Sequence, residues 1–355
     1  MISISDSNNV PNFLPSKSGL HFGNFYPSHT SYSLITLPVV GTIISGDAGN
    51  GICGGFSYAV LDLFLARLQP PPDTDLPASG SAGFNYLIDR FLDSFGSAHN
   101  GYSQVKKLIE WIQLPDYDVT IPFHVGLGLR IIEDEWPQIK ADIDSGRPSA
   151  LMLAMSPKCG LGDISCIITA LSHSHQVLVY GYTMDNNNLT LSIYDCNHPD
   201  SDSQTILLNI SHPEHKINIM APGIPYTIRG FFRSDYSRKN PAGFMAAFPP
   251  ILKDGTLLKS LAKEVYAIYG GAKFLVPSSS VLNMLNILNK GIDIRSVLKN
   301  TLDDIPRVPV EGTLLREESS SQVYVILNGR KKRLESSSVA GQVHVLWNGA
   351  LAQIP

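Results

Sequence analysis

His175-Gln176-Val177-Leu178-Val179-Tyr180-Gly181-Tyr182 and Leu189-Thr190-Leu191-Ser192-Ile193-Tyr194-Asp195 flank Asp185-Asn186-Asn187-Asn188, and this stretch decides the fold class. Both arms are rich in β-branched and aromatic residues with turn formers between them, which predicts a β-hairpin. Thr205-Ile206-Leu207-Leu208-Asn209-Ile210 extends it into a meander, and Leu151-Met152-Leu153-Ala154-Met155 predicts another buried strand. Upstream the period changes to that of a helix. Phe56, Val60, Leu63, Phe64 and Leu68 fall at i, i+4, i+7, i+8 and i+12, and Leu61 and Leu65 carry the apolar character around the cylinder. That pattern predicts a helix buried in a domain, stopped by Gln69-Pro70-Pro71-Pro72. More helices are predicted at 83–94, 102–113 and 134–144, the last with Asp134 as N-cap and Ile139 and Ile143 facing inward. Helices followed by an antiparallel sheet argue α+β, not a doubly wound parallel sheet.

Residues 1–40 read as an extended lead-in ending in the apolar run Leu34-Ile35-Thr36-Leu37-Pro38-Val39-Val40, followed by a glycine-dense loop from Gly41 to Gly55. Near residue 250 the sequence becomes repetitive. Gly255-Thr256-Leu257-Leu258-Lys259 returns as Gly312-Thr313-Leu314-Leu315-Arg316, and Val265-Tyr266-Ala267-Ile268-Tyr269-Gly270-Gly271-Ala272-Lys273 as Val323-Tyr324-Val325-Ile326-Leu327-Asn328-Gly329-Arg330-Lys331. Each copy then reaches Ser-Ser-Ser-Val, at 278–281 and 336–339, and Val343 to Ala350 reads as a third, partial copy. Gly270-Gly271, Asn328-Gly329 and Asn348-Gly349 are type I′ turn dipeptides, since both central residues need φ > 0. Two domains follow: 1–250, and a β-hairpin repeat module at 251–355 with a helical insert near 281–300.

The 355 residues include 43% apolar and only 16% charged side chains, against roughly 25% charged in an ordinary domain, which excludes intrinsic disorder. Net charge is −4 and Arg330-Lys331-Lys332-Arg333 is the one basic run, so no nucleic-acid partner is expected. No apolar stretch reaches the ~18 residues of a membrane span. Met1-Ile2-Ser3-Ile4-Ser5-Asp6-Ser7 lacks the basic and apolar regions of a signal peptide. Cys53, Cys159, Cys166 and Cys196 do not make a disulfide framework; Cys159 and Cys166, around glycines, allow a loop thiol pair, with free thiols the expectation in the cytosol. A cytoplasmic location is the default expectation, with export lacking a cleaved signal left open.

Cys53 lies in Asn50-Gly51-Ile52-Cys53-Gly54-Gly55, a loop leading into the buried helix. A thiol at a helix start feels the positive end of the dipole, which favours thiolate, although a buried Cys also serves simply to pack. His175 begins the first hairpin strand and Asp195 ends the second. A four-residue loop pairs Met184 with Leu189 and turns Asp195 away from His175. A three-residue loop with a bulge pairs Met184 with Asn188, sets Asp195 opposite Val177, and makes it a same-face diagonal neighbour of His175 about 7–8 Å away. A carboxylate ending the apolar row Leu189, Leu191, Ile193 costs free energy to bury without a partner. Cys, then His, then Asp supplies nucleophile, proton acceptor and tautomer holder.

On Asn50-Gly51-Ile52-Cys53-Gly54-Gly55-Phe56, His175-Gln176-Val177-Leu178-Val179-Tyr180-Gly181-Tyr182 and Ile193-Tyr194-Asp195-Cys196-Asn197, the chain resembles the papain-like cysteine hydrolases. The His strand and the Tyr-Asp are similar to those of double-glycine leader peptidases. A closer likeness is to uncharacterised bacterial and fungal proteins with a Gly-x-Cys-Gly-Gly segment and a His-Gln-Val-Leu strand. The resemblance covers roughly residues 20–235. It implies a papain-like fold, with the Cys helix packed on an antiparallel sheet carrying His and Asp, and a catalytic trio of Cys53, His175 and Asp195. It also implies a thioester acyl-enzyme formed on a peptide, amide or ester substrate. Papain-like peptidases place a Gln six residues before the nucleophile as oxyanion donor. Position 47 here is Asp, which repels a developing negative charge. Asn50 with the Cys53 N–H is the substitute pair, and Asn197 is the second candidate to orient the imidazole.

Other constellations are weaker. His173, His175, Asp195, Cys196 and His198 contain metal-ligating types but no metal-binding spacing, and Gly126-Leu127-Gly128 lacks the rest of a dinucleotide fingerprint, so neither metal nor cofactor is expected. The same trio order serves acyltransferases and cyclases, and a non-catalytic core is the other class of reading. The repeats at 254–355 suit binding to a protein or glycan partner.

Overall fold

The computed structural model describes residues 5–36, 43–96, 102–120, 123–155, 157–261, 263–288, 293–335 and 341–355. Leu37 to Val40 of the apolar run and the Ser-Ser-Ser-Val at 336–339 lie outside the described residues. The chain divides into two units, Met1–Pro71 with Leu76–Ala247, and Pro72–Asp75 with Phe248–Pro355. Both are mixed α and β. Among the described residues no helix is long and apolar enough to cross a membrane.

The first unit is organised by a seven-stranded antiparallel sheet. Its strands are β1 (Ser5–Asn9), β2 (Ser149–Ala154), β3 (His175–Asp185), β4 (Asn188–Tyr194), β5 (Thr205–Asn209), β6 (Ile219–Met220) and β7 (Gly230–Arg233). They run in the order β6-β5-β4-β3-β2-β7, and β1 pairs with the far half of β3. The lead-in thus contributes a strand of the main sheet. It also contributes the Ser31–Thr36 strand, which pairs with Ile43–Asp47 in a separate two-stranded ribbon.

The hairpin forms with a different turn from the one expected. Asp185 pairs with Asn188 and Met184 with Leu189 around a two-residue turn, Asn186-Asn187, with Asn186 at φ 54°. That register alone would turn Asp195 away from His175. A bulge corrects it: Gly181 pairs with Ser192 but Val179 with Ile193, so Tyr180 is the extra residue. Beyond the bulge Leu178 faces Tyr194, and one step further Val177 stands beside Asp195.

Helix α1 (Cys53–Leu65) lies behind β3, with every residue from Cys53 to Leu63 buried. Burying Phe56, Val60 and Leu63 contributes about 1.5–3 kcal/mol each. The helix ends before the prolines. Arg67 takes φ 58°, the Leu68 N–H reaches the Leu63 carbonyl and the Arg67 N–H that of Phe64, a left-handed cap that closes the helix locally. Leu68, expected on the buried stripe, is therefore 41% exposed. Helix α2 (Ala82–Ser94) crosses α1 closely: a Cβ on Gly55 would lie 2.2 Å from the Leu87 carbonyl oxygen.

Inside this packing Arg90 and Asp62, both fully buried, pair at 2.7 Å. Asp62 also accepts from the Tyr86 and Tyr236 hydroxyls and the Lys239 N–H, while Arg90 lies over the rings of Tyr58 and Tyr236. Helix α3 (Ser103–Gln113) follows. The helix predicted at 134–144 begins earlier. A turn at Leu127–Leu129 runs through a π-helical stretch, Arg130–Glu135, into Trp136–Asp144, so Asp134 lies inside the helical path and caps nothing. Pro137 lacks the N–H that Glu133 would receive, and the wider turn accommodates the gap. Helix α4 (Ile164–His173) precedes β3 directly, and Cys166, in its first turn, is disulfide-bonded to Cys159. The free-thiol expectation for that pair is thus corrected: the glycine-containing loop between them brings their Cα atoms to 5.6 Å.

In the second unit the repeat becomes two four-stranded sheets. The first contains β8 (Leu257–Lys259), β9 (Val265–Tyr269), β10 (Ala272–Leu275) and β11 (Ile294–Ser296), with β11 parallel to β8. The second contains β12 (Leu314–Glu317), β13 (Tyr324–Leu327), β14 (Arg330–Arg333) and β15 (Val343–Leu346), with β15 parallel to β12. The segment at 343–350 is accordingly the closing part of the second copy and no third copy.

The helical insert resolves into a helix at Ser279–Leu288, the strand β11 and a short helix at Lys299–Asp304. Gly270-Gly271 and Asn328-Gly329 take positive φ at both positions, as I′ turns need. At Asn348-Gly349 only the glycine does, and a 3₁₀ helix, Ala350–Gln353, follows. The two copies bury matching sets: Leu258, Ile268, Val297, Leu302 and Ile305 in one, Leu315, Ile326, Leu346, Leu351 and Ile354 in the other. Matching lysines cap the closing turns. Lys273 Nζ donates to the Leu302 and Asp303 carbonyls, Lys331 Nζ to those of Leu351 and Ile354.

The short stretch Pro72–Asp75 belongs to this unit, so its expected boundary near 250 omits one piece. Asp73 makes a two-point pair with Arg295, each contact 2.9 Å, and the Thr74 N–H donates to the Ser296 carbonyl.

Candidate active site

Cys53 is the first residue of α1, and no side chain caps that helix end. Its sulfur is held from the sheet, since the Gln176 N–H donates to Sγ at 3.3 Å. One turn along α1, the Ser57 hydroxyl donates to the Gln176 carbonyl at 3.2 Å. The i, i+4 spacing on the helix therefore grips both backbone polar groups of one strand residue. Gln176 also reaches out with its side chain, Nε2 donating to Ser94 Oγ at 2.9 Å. That bridge passes over Gly54, where a Cβ would lie 2.1 Å from Ser94 Oγ.

His175 precedes Gln176 and faces Asp195, Nε2 to Oδ1 at 2.8 Å, with both residues buried. Nε2 is thereby committed, leaving Nδ1 as the nitrogen for Cys53. Burial alone would push the imidazole down, but the Cys53 sulfur and the Asp195 carboxylate reverse this and raise it to about 10. Asp195 feels the same burial in the opposite sense. The hydrogen bond and charge of His175, the Asn197 N–H and the His198 imidazole nevertheless hold it below the usual carboxylate range. The two shifts describe an imidazolium–carboxylate pair beside a sulfur.

The supporting candidates separate. Asn197 meets Asp195 through its backbone N–H at 2.9 Å, so it supports the carboxylate and does not replace it. Asp47 accepts from the His29 and Gly49 N–H groups, which hold its half-buried carboxyl low, so its work is to cap the 3₁₀ turn Ala48–Asn50. Asn50 ends that turn, exposed at the cavity rim. Sequence reasoning missed Asn24, whose Oδ1 accepts from the Ile52 N–H at 2.9 Å, because it belongs to the lead-in 29 positions before Cys53. It also missed Gln176, although its place next to His175 was a signal.

These groups line a cavity of about 740 Å³. Cys53, His175 and Asp195 line it together with Phe25, Phe91, Phe95, Leu171 and Tyr226, so the walls are largely apolar. His175, Asp195 and Cys196 offer ligand atoms within 4.8 Å of one another, and exposed His212, Glu214 and His215 form a second such group. The first group fits a metal poorly: Asp195 already holds His175 Nε2, and burial with the nearby Asp195 charge pushes the Cys196 thiol up, against the thiolate a metal requires. A scan against protein-family models, a search of curated proteins and a search of solved structures each gave no match.

Proposed function

We propose that the chain is a cysteine-dependent hydrolase of papain-like arrangement acting on an amide or ester. One observation carries this reading: the buried His175 sits between Asp195 and Cys53 at the wall of a roomy cavity. The Cys53 thiolate attacks the carbonyl carbon, forming a C–S bond and moving the C=O electron pair onto oxygen. Collapse expels the amine or alcohol, which takes the proton from the His175 imidazolium. Water then gives its proton to His175 and its oxygen to the thioester carbon, and the acid departs as Cys53 is regenerated. Asp195 keeps the ring oriented and stabilises its positive form. The apolar walls favour a substrate with a bulky apolar group beside the scissile bond.

Transfer to an acceptor other than water uses the same first half, and a non-catalytic binding role remains the other reading. Residues 254–355 would then serve a protein or glycan partner in either case. The Cys159–Cys166 disulfide favours an oxidising compartment. The test is acylation by p-nitrophenyl acetate followed by intact-mass analysis. A burst of nitrophenol with a stoichiometric acetyl adduct on Cys53, lost in Cys53→Ala, supports the enzyme. Intact Cys53 with no adduct refutes it.

A further inference from the structure

A tetrahedral adduct on Cys53 places a negative oxygen beside the first turn of α1, where it needs two donors about 2.7–3.1 Å away. The Cys53 N–H, at the helix start, is one of the orphan donors every helix leaves. The second donor must be a neutral side chain near that turn. Asp47 is excluded as a carboxylate already engaged by two N–H groups, and Asn50 stands exposed.

Asn24 meets the requirement. It is only 9% exposed, its backbone N–H is tied to the Cys196 carbonyl at 3.1 Å, and its Oδ1 is tied to the N–H of Ile52, the residue before the nucleophile. Fixing the oxygen fixes the amide the other way round. Nδ2 makes no hydrogen bond to any described residue, and Asn24 lines the cavity, so that donor is free to meet a ligand there. The chain leaves that donor uncovered: a Cβ on residue 51 would lie 3.1 Å from Nδ2, and residue 51 is glycine at φ 93°. Asn24, Gly51 and Cys53 all line the cavity.

We propose that Asn24 Nδ2 and the Cys53 N–H together form the oxyanion site, in place of a donor upstream of the nucleophile in its own loop. This rests on the hydrolase reading above. Asn24→Asp keeps an oxygen for the Ile52 N–H and removes the donor. Asn24→Ser is the second variant, neutral and lacking the amide, and melting curves establish that each variant is folded.

Two probes of Cys53 separate the roles. Iodoacetamide alkylates by displacement at a CH₂ and builds no oxyanion, whereas p-nitrophenyl acetate must pass through one. Acylation is expected to fall about 10²-fold or more in both variants while alkylation stays within about threefold of wild type. Acylation at the wild-type rate in a folded variant overturns the proposal, and so does an equal fall in both rates, which would make Asn24 a clamp on the loop. If wild-type Cys53 alkylates but never acylates, the hydrolase reading itself fails and takes this proposal with it.

Discussion

Gln176 donates its backbone N–H to the sulfur of Cys53, so the strand that carries the imidazole also holds the thiol. The sulfur at the start of α1 and the imidazole on β3 thus share one strand residue as their link.

Thiol chemistry follows from this arrangement. In denaturant without reductant the chain should titrate two thiols, Cys53 and Cys196, and four after reduction of the Cys159–Cys166 bond. In the folded protein Cys53, beside an imidazolium, should alkylate at pH 6 well before Cys196, whose thiol burial pushes up. Peptide mass mapping after brief iodoacetamide treatment reads both. Equal labelling of the two would sink the ion-pair reading.

The His175–Asp195 contact sets a pH dependence with a definite sign. The folded imidazole is raised above its unfolded value near 6.5, so its stabilisation is complete below about 6.5 and is lost as pH rises through about 10. In the proposed reaction the imidazolium is also the acid for the leaving group, so acylation should decline on the alkaline side near 10. Asp195→Asn removes one of the two groups that raise His175, the other and larger being the Cys53 sulfur. The variant's alkaline limb should move to lower pH, and its rate should fall by about 10³–10⁴-fold through the wrong tautomer. An unchanged profile would assign Asp195 a purely structural place.

Arg90 and Asp62 join α1 and α2 in a fully buried pair. Arg90→Met leaves the Asp62 carboxylate buried with only hydroxyl and N–H partners, and should cost about 3–5 kcal/mol. Denaturant unfolding measures it. The double variant Asp62→Leu/Arg90→Met should recover part of the loss, since no charge remains to strand.

Much of this architecture was legible in the pattern of residues. Apolar, β-branched and aromatic runs between turn formers marked β2 to β5, the apolar cylinder marked α1, and Cys53, His175 and Asp195, singled out by their order, are three side chains that one cavity wall brings together. What escaped was set by single backbone residues or by contacts between distant segments. The bulge at Tyr180 compensates an Asn186-Asn187 turn that, read locally, puts Asp195 on the wrong face. Arg67 adopts a left-handed conformation that composition assigns to glycine or asparagine. The fourth strand of the second repeat looked like a new copy because Val343-His344-Val345 echoes Val323-Tyr324-Val325 in kind, and only its parallel pairing with β12 reveals its place. Asn24 carries no local signature, because its partners are backbone groups far along the chain.

Asp73 provides a test of the second unit. Its two-point contact with Arg295 is mostly buried, so Asp73→Ala should lower the stability of that unit by about 3 kcal/mol. Hydrogen exchange of β8 and β11 should quicken, while Cys53 alkylates at the wild-type rate. Unchanged exchange would show that Pro72–Asp75 merely lies against the sheet.

The stretch Pro72–Asp75 gives the growing chain a waiting time. Asp73 leaves the ribosome 222 residues before Arg295, its partner. At the usual pace of about 5–20 residues per second, that gap lasts roughly 10–45 s. Pro70 to Pro72 disfavour continuation of α1 into the segment during the delay. Synthesis order thus places the closure of the second unit after the whole of the first has been made, and a stalled or shortened message would yield a Cys53-bearing unit with Asp73 left without its cation.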